Sequence, residues 1–146
     1  RIEIKGKMGF LNLLPSTYQD VKKSCQALDS DWFVDIISFL VNAVPEKSQH
    51  AGIVIFEGKN AGGEDCIFIK IRRAVDFSGV DLRTGEDKIK ELFGDLYMGG
   101  GGHAGAVSFR VHRLEEKELL ARLENIFDFF NTAIKSNGNC LDTLFP

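Results

Sequence analysis

The residues with the clearest chemical potential are four consecutive glycines, Gly99, Gly100, Gly101 and Gly102, followed directly by His103. Because glycine has no side chain, neighbouring N–H groups can converge on an anion. His103 can donate a hydrogen bond to a phosphate oxygen or exchange a proton near neutral pH. The run lacks the Gly-Lys-Ser/Thr ending of a Walker A loop, and it precedes a strand, whereas a dinucleotide fingerprint opens a helix. Alone, the run is equally consistent with a mobile turn.

Two arginines, Arg72 and Arg73, end a run of β-branched residues earlier in the chain. A guanidinium presents a fork of N–H donors that matches the oxygens of a phosphate. At least one of the two should point toward whatever the neighbouring loop binds. Lys70 lies on the same strand face as Arg72 and would widen a basic strip. The alternative is a solvated strand end whose arginines pair with Asp76 or Glu64.

Other kinds of site find little support in the residue types. The three histidines, His50, His103 and His112, lack the spacing of metal ligands. The acidic residues between 76 and 87 are scattered, and they suit turns and helix caps better than a dimetal cluster. No Gly-x-Ser-x-Gly elbow is present, and Cys25 lies in a predicted helix without a histidine to activate it. The sequence therefore predicts neither catalytic residues nor metal ligands in this chain.

Composition and charge fit a single domain that binds an anion by local geometry. The chain has 146 residues, of which 44% are hydrophobic and 27% charged, as in ordinary globular domains. Its net charge of −3 is not that of a basic nucleic-acid binder. Three cysteines without C-x-x-C spacing argue against a disulfide framework and a zinc site, and they predict reduced thiols in a cytoplasmic protein. We recognise neither a secretion signal nor an apolar run long enough for a membrane span.

The elements that must position these residues follow from hydrophobic periodicity. Residues 1–7 alternate like a strand, and a helix is predicted over residues 18–28. The cluster Asp29-Ser30-Asp31 predicts the cap of a second helix, which buries a stripe from Phe33 to Val44 and is ended by Pro45.

The second half of the chain alternates between strand and helix patterns. Strands are predicted over 51–57 and 66–72 as antiparallel neighbours, and a third over 107–111. A helix capped by Thr84 should bury Ile89, Leu92 and Phe93 and stop near Gly94, and the last helix should span 115–134 before a tail with little pattern. These elements predict one α+β domain with a small, mostly antiparallel or mixed sheet and helices packed on it.

The glycine run with its histidine resembles the signature of the DHH-associated domain, the C-terminal substrate-binding domain of the DHH phosphoesterase superfamily. In that family small residues, commonly Ala-Ala-Gly, and a strand follow the histidine. Here Ala106 matches the first alanine, whereas Val107 and Ser108 depart from the pattern. A second family feature is an arginine that ends an earlier strand in a pattern like Ser-Leu-Arg-Ser. The stretch Lys70-Ile71-Arg72-Arg73 is similar, with Arg72 in the matching place.

The resemblance is firm from Ile67 to Val111, and the recognisable core of the domain spans about residues 51–134. It implies that residues 1–146 form a DHH-associated substrate-binding domain. Since the chain starts on Arg1 and has no Asp-His-His motif, we expect it to be a fragment of a longer protein.

The family includes RecJ-like exonucleases, oligoribonucleases, cyclic-dinucleotide phosphodiesterases and exopolyphosphatase-related proteins. Its substrate-binding domain closes over a cleft against an N-terminal domain that holds two divalent metals, usually manganese. The resemblance implies a set of residues that grip the substrate phosphate, namely Arg72, Arg73, Gly99, Gly100, Gly101, Gly102, His103 and Ala106.

The implied parent is a metal-dependent phosphoesterase, and this chain alone would be inactive. Its expected partners are a short nucleic acid, a nucleotide or another phosphate-containing substrate, and the N-terminal metal-binding domain of the same protein. A homodimer is compatible with this role, and no membrane partner is expected. The divalent metal, Mn²⁺ or another, would be bound by the catalytic domain and not by this chain.

Two other functions compete with this interpretation. The chain could be a non-catalytic RNA-binding or dimerisation appendage, similar to the C-terminal domain of alanyl-tRNA synthetases. In that domain Arg usually follows the glycine run, whereas His103 stands here. The chain could also be a structural module whose glycines form a hinge. The sequence does not choose among DNA, RNA, a cyclic dinucleotide and polyphosphate as the ligand.

Overall fold

The computed structural model describes residues 2–14 and 32–144, with side chains given for 2–14 and 37–135. Within these ranges six strands form one mixed sheet in the order β1-β2-β3-β4-β6-β5. The strands are β1 (Glu3–Lys5), β2 (Met8–Asn12), β3 (Ala51–Lys59), β4 (Asp65–Arg73), β5 (Tyr97–His103) and β6 (Ala106–Val111). The α-helices are α1 (Trp32–Ser48), α2 (Glu86–Phe93) and α3 (Glu116–Leu144). The predicted α+β class with a mostly antiparallel sheet is confirmed.

The strands predicted over 51–57, 66–72 and 107–111 are confirmed, each with slightly wider bounds. β3 and β4 pair antiparallel as expected, with Ile55 opposite Ile69. β6 lies on the other side of β4, also antiparallel, with Phe109 opposite Ile69. Alternation places β-branched and aromatic residues of all three strands in one buried layer, which is typical of a sheet covered on that face.

The second strand, β2, is not predicted by the sequence analysis. It pairs antiparallel with β1 through a tight turn and parallel with β3. Met8, Gly9, Phe10 and Leu11 are all buried, because β2 is covered on both faces. A strand covered on both faces reads as a continuous apolar run without alternation, so its periodicity carries no strand signal.

One face of the sheet, here called the core face, packs against α2 and α3. Ile89 and Phe93 of α2 are buried as predicted, whereas Leu92 is only partly buried. From α3 the predicted stripe is buried at Leu119, Leu123, Ile126, Phe127, Phe130 and Ile134. The strands contribute Ile67, Ile69, Ile71, Val107, Phe109 and Val111 to the same cluster. This face is therefore the main hydrophobic core.

The opposite face of the sheet, here called the α1 face, is covered by α1 over β2 and β3. Val44 lies directly on two glycines: a Cβ at Gly9 would come 2.5 Å from the Val44 carbonyl oxygen, and one at Gly52 would come 2.7 Å from its Cγ1. The prediction that Pro45 ends the helix is wrong, since α1 continues to Ser48. Pro45 is buried against Gly52, so packing on the sheet outweighs the local preference of proline to end a helix.

Three further predictions of helix bounds differ from the structure or are not covered by it. Thr84 does not cap α2; its hydroxyl donates to the Asp81 carbonyl within a 3₁₀ turn, Leu82–Gly85, and Gly85 holds the cap position. α3 runs on through the predicted tail to Leu144. The predicted helix over 18–28 and the cap at 29–31 lie outside the described residues. None of the helices in the described ranges is long and apolar enough to cross a membrane.

Candidate phosphate-binding site

Strand alternation in β4 directs its basic residues away from the core. Ile69 and Ile71 are fully buried in the core face, so Lys70 and Arg72 project from the α1 face. Both line a cavity between β4 and α1. The predicted basic strip of Lys70 with Arg72 is therefore present on one strand face.

The register of β6 and β5 adds two more residues to this strip. Arg72 lies opposite Ala106 of β6, and Ala106 lies opposite His103 of β5. Adjacent strands are about 4.8 Å apart, so the backbone positions of Arg72 and His103, two strands apart, are separated by about 10 Å. Both side chains lie on the same face, and only the Ala106 methyl group lies between them. Arg110 lies on this face of β6 four residues beyond Ala106, opposite Phe68. We call Lys70, Arg72, His103 and Arg110 the basic patch.

The charged groups of the patch form no ion pairs within the described part of the chain. Lys70, Arg72 and Arg110 take part in none of its ion pairs, whereas Arg113 pairs with Glu57 at 3.2 Å. The Nε of Arg72 is buried and has no hydrogen-bond partner among the residues that the structure describes. A buried donor without a partner carries a free-energy cost that a bound acceptor would remove. The patch is thus suited to receive an anion.

Burial lowers the pKa of Lys70 below its ordinary value, and the nearby charge of Arg72 lowers it further. An anion bound between these groups would offset both effects, because it neutralises the repulsion and stabilises the ammonium ion. Lys70 and Arg72 therefore destabilise each other's charged form in this arrangement, and a bound anion would relieve that effect.

The glycine run differs from the sequence prediction, because it forms the edge strand β5 and not a loop. Gly99, Gly100, Gly101 and Gly102 have φ values of +125°, +155°, +151° and +156°. L-residues rarely adopt these values, so glycine alone allows this strand. A Cβ at Gly102 would collide with the Ala106 carbonyl oxygen of β6, and one at Gly100 with that of Ser108.

This geometry changes the role predicted for the glycine amides. Along a strand, N–H groups alternate between the neighbouring strand and the open edge, so they do not converge into a nest. What the glycines provide is a surface without side chains beside the basic patch. The guanidinium of Arg110 lies against this surface, because the Arg110 Nη2 is 3.3 Å from the position that a Cβ of Gly99 would take.

His103 is exposed at the end of β5, and its ring is fixed by the turn that follows. The Gly105 N–H donates to His103 Nδ1 at 3.2 Å. In the neutral imidazole this leaves the proton on Nε2, which is then free to donate to a ligand. His103 thus presents a donor on the same face as the Arg72 guanidinium.

Arg73 plays a different part from Arg72. Its Nη1 donates to the Val80 carbonyl at 2.7 Å, and its backbone N–H donates to the Gly105 carbonyl at 3.0 Å. Arg73 therefore ties the 74–81 loop and the 104–105 turn to the end of β4. The side chains of Arg73 and His103 nevertheless approach the same point. The Arg73 Nη2 and the His103 Cε1 each lie within 3.5 Å of the position that a Cβ of Gly105 would take.

A polar cavity of about 190 Å³ joins the two arginines. Arg72, Arg73 and Gly105 line it, together with Asn42 and Glu46 of α1. Glu46 is the acidic residue at this site, and its Oε1 accepts a hydrogen bond of 2.7 Å from the Val75 N–H. This hydrogen bond engages one oxygen of the Glu46 carboxylate. The two arginines that line the same cavity outnumber this one acidic residue.

Sequence reasoning missed Arg110 and Asn42 as site residues. Alternation with Val107, Phe109 and Val111 does predict that Arg110 projects from the face away from the core. The sequence does not reveal the strand order β4-β6-β5, which brings Arg110 to the same sheet face as Lys70 and Arg72. No sequence pattern marks Asn42 as a site residue, because the α1 segment shows only the periodicity of an amphipathic helix.

The other residues considered for chemistry are dispersed. The ring Nδ1 of His50 is 2.8 Å from the Ser48 carbonyl oxygen, and burial raises the pKa of the Cys66 thiol. Cys25 lies outside the described residues. Among the described side chains, no three His, Cys, Asp or Glu residues are grouped so as to hold a metal ion. This part of the chain therefore offers no fit for the divalent metal that the family resemblance implies.

We compared the chain with protein-family models, curated proteins and solved structures, and none of them matches it. The resemblance to the DHH-associated domain thus stays a prediction based on the glycine-histidine run and the strand-end arginine.

Proposed function

We propose that this domain binds the phosphate groups of a nucleic acid or nucleotide on behalf of a metal-dependent phosphoesterase of the DHH type. The proposal is supported above all by one observation: Arg72, Ala106 and His103 form a single row across three adjacent strands. Arg72 and His103, the residues that the family resemblance emphasises most, thus lie on one face of the sheet. Only the small side chain of Ala106 lies between them.

In this proposal Arg72 donates two parallel hydrogen bonds to the oxygens of one phosphate, and His103 Nε2 donates to the same group from the other side. Lys70 and Arg110 add positive charge along the strand direction, where a neighbouring phosphate of an oligonucleotide would lie. Such preorganised donors stabilise negative charge on phosphoryl oxygens, and they do so more strongly as the charge grows. The chain's own contribution is to hold and orient the phosphate, and the hydrolytic chemistry belongs to the catalytic domain.

Binding of a fluorescein-labelled, 5′-phosphorylated trinucleotide, followed by fluorescence anisotropy, tests this proposal. Arg72→Ala and His103→Ala should each weaken binding, Arg72→Ala by about tenfold or more, since a hydrogen bond to a charged group is worth about 1.5–3 kcal/mol. Arg113→Ala removes the same charge from a residue already paired with Glu57, and it should change affinity little.

The salt dependence provides a second readout of the same complex. Each lost phosphate contact should reduce the slope of log affinity against log salt by a little under one. Unchanged affinity and slope in both Arg72→Ala and His103→Ala, with the variants folded, would contradict the proposal.

A further inference from the structure

A second, mostly apolar cavity of about 300 Å³ lies between β4 and α1, next to the polar one. Ile37 and Val41 form its wall on α1, and Phe68 lies on the sheet side. Its volume is at the lower end of the range of small-molecule sites, which are mostly apolar with a few placed polar groups. The phosphate-binding role by itself leaves this cavity unexplained.

The aromatic side of the cavity is a rigid stack. The rings of Phe56 and Phe68 are parallel within 10°, with centroids 5.1 Å apart. Phe56 is 8% exposed, whereas Phe68 remains only half-buried. Gly58 leaves space for this arrangement, because a Cβ there would come 2.8 Å from the Phe68 ring. The Phe68 ring is thus held in place with part of its surface open to the cavity.

The two cavities share Asn42 and Arg72, so they form one groove along α1. One end of this groove is aromatic and aliphatic, and the other holds the guanidinium groups of Arg72 and Arg73. Ser38 and Asn42 place polar side chains along the α1 wall. The groove therefore matches a ligand with a flat, weakly polar group at one end and an anion at the other.

We infer that the apolar end is a nucleobase pocket, which makes the ligand a nucleotide or oligonucleotide and not polyphosphate. This inference rests on the proposed function, because Arg72 must hold the phosphate for the base to reach Phe68. The base packs between the Phe68 ring and the Ile37 and Val41 side chains. Ser38 and Asn42 bind its polar edge. Stacking of a base on an aromatic side chain raises affinity by about fivefold or more, and the contacts to Ser38 and Asn42 would add to this.

Isothermal titration calorimetry with three probes tests the inference. The probes differ in whether they carry both the base and the phosphate or the phosphate without the base. AMP carries base and phosphate, ribose 5-phosphate lacks the base, and tripolyphosphate offers phosphates alone. AMP should bind at least tenfold more tightly than ribose 5-phosphate. Ser38→Trp fills the cavity from the exposed surface of α1 and should abolish that difference, while the affinity for ribose 5-phosphate stays the same.

Phe39→Trp is the matched control, since it places the same side chain on the adjacent residue of α1, where Phe39 is 70% exposed and outside the cavity. It should leave all three affinities unchanged. A second measurement does not depend on any variant: methyl signals of Ile37 and Val41 should shift on addition of AMP and not of ribose 5-phosphate.

The outcomes separate this inference from the proposal on which it rests. If AMP and ribose 5-phosphate bind equally, both through Arg72, and the Ile37 and Val41 methyl signals stay unmoved, the base pocket is overturned and phosphate binding stands. If tripolyphosphate binds more tightly than AMP and Ser38→Trp changes nothing, the base pocket is likewise overturned. If none of the probes binds in an Arg72-dependent way, the proposed function itself fails.

Discussion

Lys70 is a single residue whose charge is unfavourable in the folded chain and would favour binding of an anion under the proposed function. Its ammonium ion is half-buried beside Arg72, and burial followed by that charge lowers its pKa. A lysine with a lowered pKa is more easily charged in the unfolded chain than in the folded one. The charge therefore opposes folding at neutral pH, and the opposition fades as the pH rises through the lowered pKa toward the ordinary value.

Lys70→Met should stabilise the domain by about 0.5–1 kcal/mol, because it removes a poorly solvated charge and keeps the apolar stem. The same change should weaken oligonucleotide binding severalfold. Urea denaturation and fluorescence anisotropy measure the two effects. Lys59→Met is the control, since exposed Lys59 pairs with Asp65 at 2.8 Å away from the patch, and neither quantity should change much. A Lys70→Met variant that loses stability would mean that the charge has a partner in the folded chain.

The same lysine gives the binding equilibrium a pH signature. In the wild type, oligonucleotide affinity should begin to fall with rising pH before the ordinary lysine pKa of 10.5 is reached, as Lys70 loses its proton. The arginines keep their charge over this range. Lys70→Met should therefore show a shallower fall than Lys59→Met, and parallel pH profiles would contradict the assignment.

At the scale of elements, β5 shows why the sequence analysis predicted a loop where the structure has a strand. A glycine run carries no side-chain periodicity, so it reads as a loop by every local rule. In the structure, the positive φ values at Gly100 and Gly102 allow the backbone of β5 to pair with β6, which no local pattern in the sequence indicates. β3 and β4, by contrast, are predicted from their runs of β-branched residues.

Gly102→Ala should destabilise the domain, because its methyl group would collide with the Ala106 carbonyl and come 2.9 Å from the Val107 Cα. Gly101→Ala is the matched control. Gly101 has almost the same φ of +151°, but its Cβ would have no heavy atom within 4 Å. Both variants carry the cost of an unfavourable backbone conformation, and Gly102→Ala should cost about 1–3 kcal/mol more. Equal free energies of unfolding in urea would show that β5 does not pair with β6 in this way.

At the scale of the whole molecule, the two faces of the sheet differ in how they are covered and in charge. The core face packs on α2 and α3, α1 covers β2 and β3 on the other face, and the basic patch occupies the rest of that face. A chain of net charge −3 thus gathers unpaired positive charge where β4, β6 and β5 meet. Steering of an anion to this site depends on the local field and not on the overall charge.

Sequence reasoning found the fold class and the alternating faces of β4 and β6, because alternation and helical stripes are local properties. It missed β2, whose four buried residues show no alternation, and the continuation of α1 past Pro45, which depends on Gly52 in another strand. It predicted Arg72 and His103 as site residues from a resemblance to a family pattern. It could not place Arg110 on the same sheet face as Arg72, because that depends on strand order.

The most direct test of phosphate binding at the basic patch is an NMR titration of the ¹⁵N-labelled chain with a 5′-phosphorylated dinucleotide. The largest saturable shifts should fall on the Nε–H signals of Arg72 and Arg110 and on the backbone amides of residues 99–106. The amides of β1, at the far edge of the sheet, should stay unmoved. Saturable shifts confined to other surfaces, or no shifts at millimolar dinucleotide, would contradict the account.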